Sequence, residues 1–340
     1  MRGLDEDRVG AWLAEHVVGA GPPFSYSLIA GGHSNLTFRV TGGDGQRFVL
    51  RRPPLGHVLA TAHDMAREHR IISALGPTSV PVPPALALCM DETVNDAPFY
   101  VMGYVDGVVL DGVRSAEALT PPQRRTAGFD LIDVLADLHL VDVEAVGLGD
   151  LGRHTGYLER QLRRWSTQWE ASKTRELSAI DEVHALLSRA VPAQHAVAVA
   201  HGDYRFGNCL LDSATGRIKA VLDWELCTLG DPLADVAYQA VYWTDPGEQP
   251  RMENDPTAAS GFPTYAEVLG RYAARTGFDL SDIDYYIAFA HWRLAIITEG
   301  VYVRYLHGAM GDEASDLDAL AARIDRLAGI ALASAQRLGA

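Results

Sequence analysis

The stretch HGDYRFGNCLLD (201–212), followed by DWELCTLGDPLAD (223–235), decides how this 340-residue chain reads. Each piece is reached through an apolar run, residues 197–200 before the first and 218–222 before the second. Short apolar runs bounded by turn residues read as buried strands. Asp203 then stands at the end of one strand and Asp223 at the end of the next, with Asn208 five residues beyond Asp203 across a short turn. A single aspartate after a core strand is usually turn punctuation. A carboxylate and an amide oxygen converging from two neighbouring strand ends form a set of hard oxygen ligands. Mg²⁺ commonly binds through one or two carboxylates together with substrate phosphates. Asn208 and Asp223 fit that role, which leaves Asp203 to orient a hydroxyl and accept its proton.

The rest of the chain divides by pattern. SYSLIA (25–30), LTFRVT (36–41) and QRFVLRR (46–52) are rich in β-branched and aromatic residues, with GGHSN and GGDGQ between them as turns. A helical stretch over 60–75 follows, then the proline-restricted VPVPPALALCM and a strand, FYVMGYV (99–105). Beyond about residue 110 the pattern is helical over 122–140, 155–171, 175–190, 263–276, 281–306 and 314–337. The N-terminus reads as an amphipathic helix with Val9, Trp12, Leu13 and Val17 on one face. The expected layout is α+β and bilobal: a mainly β N-lobe (1–105) and a larger, mainly helical C-lobe (106–340). The polar segment 244–261 is long enough for a lid or a disordered insertion. GLGDLG (147–152) fits G-x-G-x-x-G to the letter, but it follows a helix rather than a strand and reads as a helix–helix connection.

Composition excludes several classes. A net charge of −15 argues against non-specific nucleic-acid binding, which needs a basic footprint. No run reaches the ~18 apolar residues of a membrane span. The acidic start lacks a signal peptide's basic and apolar regions, and the three scattered cysteines suit a reducing compartment. A cytoplasmic protein is expected. Its oligomeric state is not legible. His57, His63 and His69 recur every six residues, which scatters them around a helix and speaks against a shared metal.

HGDYRFGN with VLDWELCTLGDPLAD resembles the aminoglycoside phosphotransferase and choline kinase-like family, whose fold is that of protein kinases. GGHSNLTFRV, FVLRRPP, DMAREHRII, PFYVMGYVDG and GYLERQLRRW are similar to the branch that includes the kinase-like regions of some acyl-CoA dehydrogenases, so the likeness spans most of 25–240. The resemblance implies an ATP- and Mg²⁺-dependent transfer to the hydroxyl of a small molecule, with GTP also open as donor. Asp203 would be the base, and Asn208 and Asp223 the metal ligands. Trp224 and Glu225 stand where protein kinases carry Phe-Gly, and no Ala-Pro-Glu segment follows, which disfavours a protein kinase. A non-catalytic nucleotide-binding module is the alternative from another class, although all three motif residues are retained.

The N-lobe fits the same reading. Glu68, Ile71, Ile72 and Leu75 share one helix face, and a carboxylate on an apolar stripe needs a partner. The strand FVLRR offers Arg51 or Arg52. By register with the family, Arg51 takes the place of the usual phosphate-holding lysine, changing reach and fork geometry. Ser34, in AGGHSN (30–35), lies where a phosphate-covering loop is expected. Met102, Gly103, Tyr104 and Val105 correspond to the hinge that reads adenine, and Leu211 is expected beneath the base. Asp231 and Asp235 are expected to anchor the metal loop by capping a helix near Pro232. Arg293 and Glu299, inside an apolar helix, are candidate pocket residues, whereas Tyr238, Tyr242, Trp243, Trp292, Tyr302 and Tyr305 read as core. For the acceptor, aminoglycosides would suit the acidic chain. The branch points instead to a hydroxylated metabolite such as a hydroxyacyl thioester.

Overall fold

The computed structural model describes residues 1–29, 35–55, 64–250, 252, 255–307 and 316–338. It opens with α1 (Glu6–His16), β1 (Ser25–Leu28), β2 (Leu36–Thr41) and β3 (Arg47–Arg52). Then come α2 (Met65–Leu75), β4 (Ala85–Cys89), the short α3 (Glu92–Asn95) and β5 (Phe99–Gly103). The five strands form one antiparallel sheet in the order β1-β2-β3-β5-β4.

Strand alternation gives this sheet two different faces. Phe48, Leu50, Phe99 and Val101 face outward onto α1, packing with Val9, Leu13 and Val17 in one cluster. Val49, Tyr100 and Met102 face the other way and join α2 to the core of the second lobe. Arg51 follows Val49 on this inner side. Asp64 caps α2 by accepting from Arg67 N–H at 3.0 Å, so the helix begins at Met65, and residues 60–63 of the predicted 60–75 stretch lie outside the described residues.

The C-lobe contains α4 (Val113–Glu117), α5 (Pro121–His139), α6 (Tyr157–Ser172), α7 (Ser178–Arg189), α8 (Leu233–Gln239), α9 (Tyr265–Thr276), α10 (Ile283–Leu306) and α11 (Leu317–Arg337). Between α7 and α8 lie four short strands: β6 (Ala198–Ala200), β7 (Cys209–Leu211), β8 (Ile218–Val221) and β9 (Thr228–Gly230). They form two antiparallel ribbons, β6 with β9 and β7 with β8. The bilobal α+β architecture is therefore present, with the opening motif on the two ribbons.

Three local expectations meet their outcome here. GLGDLG connects α5 to α6, burying Leu148 and Leu151, and Arg67 of α2 donates to the Leu151 carbonyl at 2.9 Å. The 244–261 segment is held at its two ends where it is described, while residues 246–250 are exposed. Thr244 N–H donates to Thr257 Oγ1 at 2.7 Å, and Asp255 and Met252 are buried. Trp292 is core, but Tyr302 and Tyr305 are only half-buried, because the α10 face that carries them runs toward solvent. No helix of the described residues is long and apolar enough to cross a membrane.

Candidate active site

The site grows from the two ribbons. β6 ends at Ala200 and the chain turns through Gly202, whose φ is +86°. A Cβ there would meet the Leu226 carbonyl at 2.9 Å, so glycine is required on both counts. Asp235 of α8 holds this turn. Its two carboxylate oxygens accept from His201 N–H at 2.6 Å and Gly202 N–H at 3.0 Å. The Asp235 carboxyl is fully buried, which opposes its charge, yet His139 at 3.5 Å, His201 and the Gly202 amide outweigh burial and lower its pKa. Asp235 thus braces the loop of Asp203, not the metal loop as expected. Asp231 is the cap: it accepts from Leu233 N–H at 3.0 Å and from His195 N–H at 2.7 Å. His201 accepts from Asp203 N–H through Nδ1 (3.2 Å), so Nε2 carries the proton and donates to the Leu222 carbonyl at 2.9 Å.

Asp203, Asn208 and Asp223 converge. Asn208 Nδ2 donates to the Asp203 carbonyl at 2.8 Å and to Asp203 Oδ2 at 2.7 Å. The Asn208 carbonyl accepts from Leu222 N–H at 2.8 Å, which sets Asn208 beside Asp223. Asp223 is one of two non-glycine residues among those described with positive φ, at +66°. Strained backbone of this kind clusters at functional sites. Its side chain and that of Asp203 remain partly open, 31% and 23% exposed.

Arg51 reaches across from the N-lobe. Its Nε lies 3.2 Å from Glu68 Oε2, its Nη2 pairs with Asp223, and the same nitrogen is 3.6 Å from Glu225 Oε2. Burial disfavours the guanidinium charge, but Glu68 and Asp223 more than compensate and raise its pKa. Burial also raises the Glu68 pKa, against the pull of Arg51 and Tyr100, to about 7. Tyr100 donates its hydroxyl to Glu68 Oε2 at 3.0 Å, and Asn35 Nδ2 bridges Glu68 Oε1 and Glu225 Oε2 at 3.2 Å each. Arg52 belongs to the other face, where Nη1 donates to the Gly3 carbonyl at 2.7 Å, so alternation selects Arg51 as the partner of Glu68.

Other predicted positions fare differently. Ser34, with the rest of 30–34, and His57 and His63 lie outside the described residues. Met102 is buried on the inner sheet face, paired with Val49. Gly103 N–H donates to the Pro84 carbonyl at 2.8 Å and Tyr104 N–H to the Arg47 carbonyl at 3.3 Å, so these two amides are already committed to the sheet edge. Leu211 needs correction. It is 0% exposed and tied to Val108 by a two-way bridge, so it offers no surface to a base. Alternation along β7 turns Leu210 to the opposite, half-buried side, beside Gly107 of the inter-lobe connector. Glu299 is structural, accepting from Thr174 N–H at 2.8 Å and Oγ1 at 2.7 Å. Arg293 instead donates to the Gly202 carbonyl at 2.5 Å.

Asn35, Tyr100, Arg205 and Glu225 were missed as functional candidates. Arg205 Nε is 3.5 Å from Asp203 Oδ2, with its guanidinium 5.5 Å above the Tyr242 ring. Tyr100 could have been found, because it is the cross-strand neighbour of Arg51 and two residues before Met102 on the same face.

The donor chemistry suits a divalent cation. The Asn208 amide oxygen and the Asp223 carboxylate are hard ligands, and one guanidinium among three carboxylates leaves local negative charge for a cation to offset. Among the described residues there is no group of three or more His, Cys, Asp or Glu that could hold a metal ion.

A two-lobed kinase-like fold with a strand-end Asp/Asn/Asp set defines the class. Within it, the chain belongs to the phosphotransferase enzyme family, whose profile matches residues 25–286. It is 35% identical over 281 residues to acyl-CoA dehydrogenase family member 10 of Mus musculus, an alignment covering 82% of this chain and 26% of the relative. Member 11 of Rattus norvegicus is 33% identical, with 91% of this chain and 41% of the relative covered. The chain therefore spans less than half the length of these relatives. Among solved structures, a Ralstonia eutropha protein provisionally named an aminoglycoside phosphotransferase superposes with a TM-score of 0.83 at 32% identity, covering 98% of both chains. The aminoglycoside phosphotransferase APH(4)-Ia, crystallised with AMP-PNP and hygromycin B, shares the fold at a TM-score of 0.62 and 16% identity, covering 96% of this chain and 98% of its own.

Proposed function

We propose that the protein transfers the γ-phosphoryl group of ATP to a hydroxyl of a small molecule, with Mg²⁺ as cofactor. The observation that carries this reading is the meeting of Asp203, Asn208 and Asp223 at neighbouring strand ends, braced from below by Asp235. Asp203 orients the acceptor hydroxyl and takes its proton, with Arg205 Nε 3.5 Å from its Oδ2. Mg²⁺, when held by Asn208 Oδ1 and Asp223, supplies charge neutralisation on the nucleotide phosphates. Arg51, located by Glu68 and Glu225, presents its fork to the same phosphates. Val105 N–H, which donates to no protein group among the described residues, is the hinge amide left for the base edge. The work of such a site is positioning and charge neutralisation.

The test is thermal stabilisation by ATP and by GTP, each with and without Mg²⁺, in wild type and Asp223→Asn. A Mg²⁺-dependent rise that the variant loses supports the reading, and ADP release with candidate alcohols then finds the acceptor. No shift with either nucleotide in folded protein would sink it.

A further inference from the structure

Helix α6 carries an arginine row that the phosphotransfer site does not use. Arg160, Arg163 and Arg164 share one face with Thr167, Gln168 and Ala171, and together they line an open surface depression of about 540 Å³. The opposite face, including Leu158, Leu162, Trp165 and Trp169, is buried. In a chain with 44 Asp and Glu against 29 Lys and Arg, a surface arginine readily finds an acid. Arg47, Arg70, Arg125 and Arg271 all do. Among the described residues, the α6 row has no carboxylate partner. Arg160 donates to the Arg153 and Thr155 carbonyls, and Arg164 lies over the Trp165 ring at 5.2 Å.

The row is connected to the catalytic loop. Trp165 carries a second guanidinium, that of Arg293 on α10, 5.3 Å from its ring centre. Arg293 also lies 5.1 Å from the Tyr238 ring and grips the carbonyl of Gly202, the residue before Asp203. The series Arg164–Trp165–Arg293 thus leads from the depression to the predicted base. Packing around Arg164, and then the Arg293 charge, lowers its pKa, the direction expected of a cation without a counter-charge. Guanidinium forks match phosphate oxygens bidentately.

We propose that this depression is an anion subsite of the acceptor pocket, binding a phosphate or pyrophosphate group carried by the molecule whose hydroxyl faces Asp203. The inference rests on the phosphotransfer reading for the ligand's role as acceptor, while the anion binding itself needs no nucleotide. A polycationic acceptor would be repelled by the same row.

Calorimetric titration of the full chain with inorganic pyrophosphate, without nucleotide or Mg²⁺, tests it in wild type, Arg163→Gln/Arg164→Gln and Asp223→Asn. Saturable binding is expected in wild type and Asp223→Asn, weakened about tenfold or more in the double variant. Both substituted side chains lie on the outer face of α6, so the unliganded melting temperature should stay near that of wild type. Thr167→Asp, which adds a negative charge to the same face, should weaken binding too, and serves if the double variant misfolds. Absence of binding overturns the proposal, as does binding kept undiminished in the α6 variants, which would put pyrophosphate elsewhere, such as beside Arg51 in the nucleotide cleft. Capture of a short RNA or of phosphatidylserine vesicles by this face, without pyrophosphate binding, would overturn the small-molecule assignment. Failure of the nucleotide shift with pyrophosphate binding intact would instead strike the phosphotransfer reading and leave the anion site standing.

Discussion

Arg51 Nε lies 3.2 Å from Glu68 Oε2, an ion pair between strand β3 and helix α2 in which the side chains are only 11% and 2% exposed. Removing one member of a buried pair strands the other, at a cost of about 3–5 kcal/mol. Arg51→Ala should lose stability on that scale in denaturant unfolding. Arg51→Lys should lose less, because a charge remains for Glu68. A lysine is a point charge, however, and cannot span Glu68, Asp223 and Glu225 as the guanidinium does. Nucleotide affinity should therefore fall about tenfold in Arg51→Lys. Equal affinity in titration would show that one positive charge suffices.

Glu68 also predicts a pH dependence. Its folded pKa, raised to about 7 chiefly by burial, lies above the ordinary 4.5. Between these values the native state binds more protons than the unfolded chain, so stability is lost as pH rises through the window. The contribution is fully present below about 4.5 and gone above about 7. The difference in unfolding free energy, wild type minus Glu68→Gln, should fall across that range and then level off. Parallel curves would show that Glu68 is ionised throughout.

These two residues show how far the sequence could be read. The i, i+3, i+4, i+7 face placed Glu68 on an apolar stripe, and the need for a partner pointed to β3, yet the choice between Arg51 and Arg52 required a register. Strand alternation settles it, since consecutive residues point to opposite faces. The same rule explains the miss at Leu211, because a one-residue difference on β7 exchanges the buried side for the open one. Asn208 and Asp223 were legible from spacing, as both follow short-range from strand ends. Asn35 and Glu225 were not: they meet across 190 positions of sequence, and no local pattern encodes that contact.

Asp203→Asn separates chemistry from binding. The amide keeps the volume and can still contact Asn208, but it cannot accept the acceptor's proton. Turnover by ADP release should drop by about 10²–10⁴, with the Mg²⁺-dependent nucleotide shift retained. An active Asp203→Asn protein would remove the base assignment.

Asp235 provides the last test, because it touches no predicted ligand and acts through the loop alone. Its two oxygens are occupied by the amides of His201 and Gly202. An asparagine offers one oxygen, so Asp235→Asn leaves one of those buried donors facing an NH₂ group, which costs about 1–3 kcal/mol. The freed turn carries Gly202 with its left-handed φ, and Asp203 directly after it. Misplacing Asp203 by a fraction of an ångström should lower kcat while the KM for nucleotide stays near wild type, since Arg51, Glu68 and Asp223 are anchored elsewhere. A purely structural role would lower stability and leave kcat per folded molecule unchanged. Steady-state kinetics normalised to the folded fraction distinguishes the two.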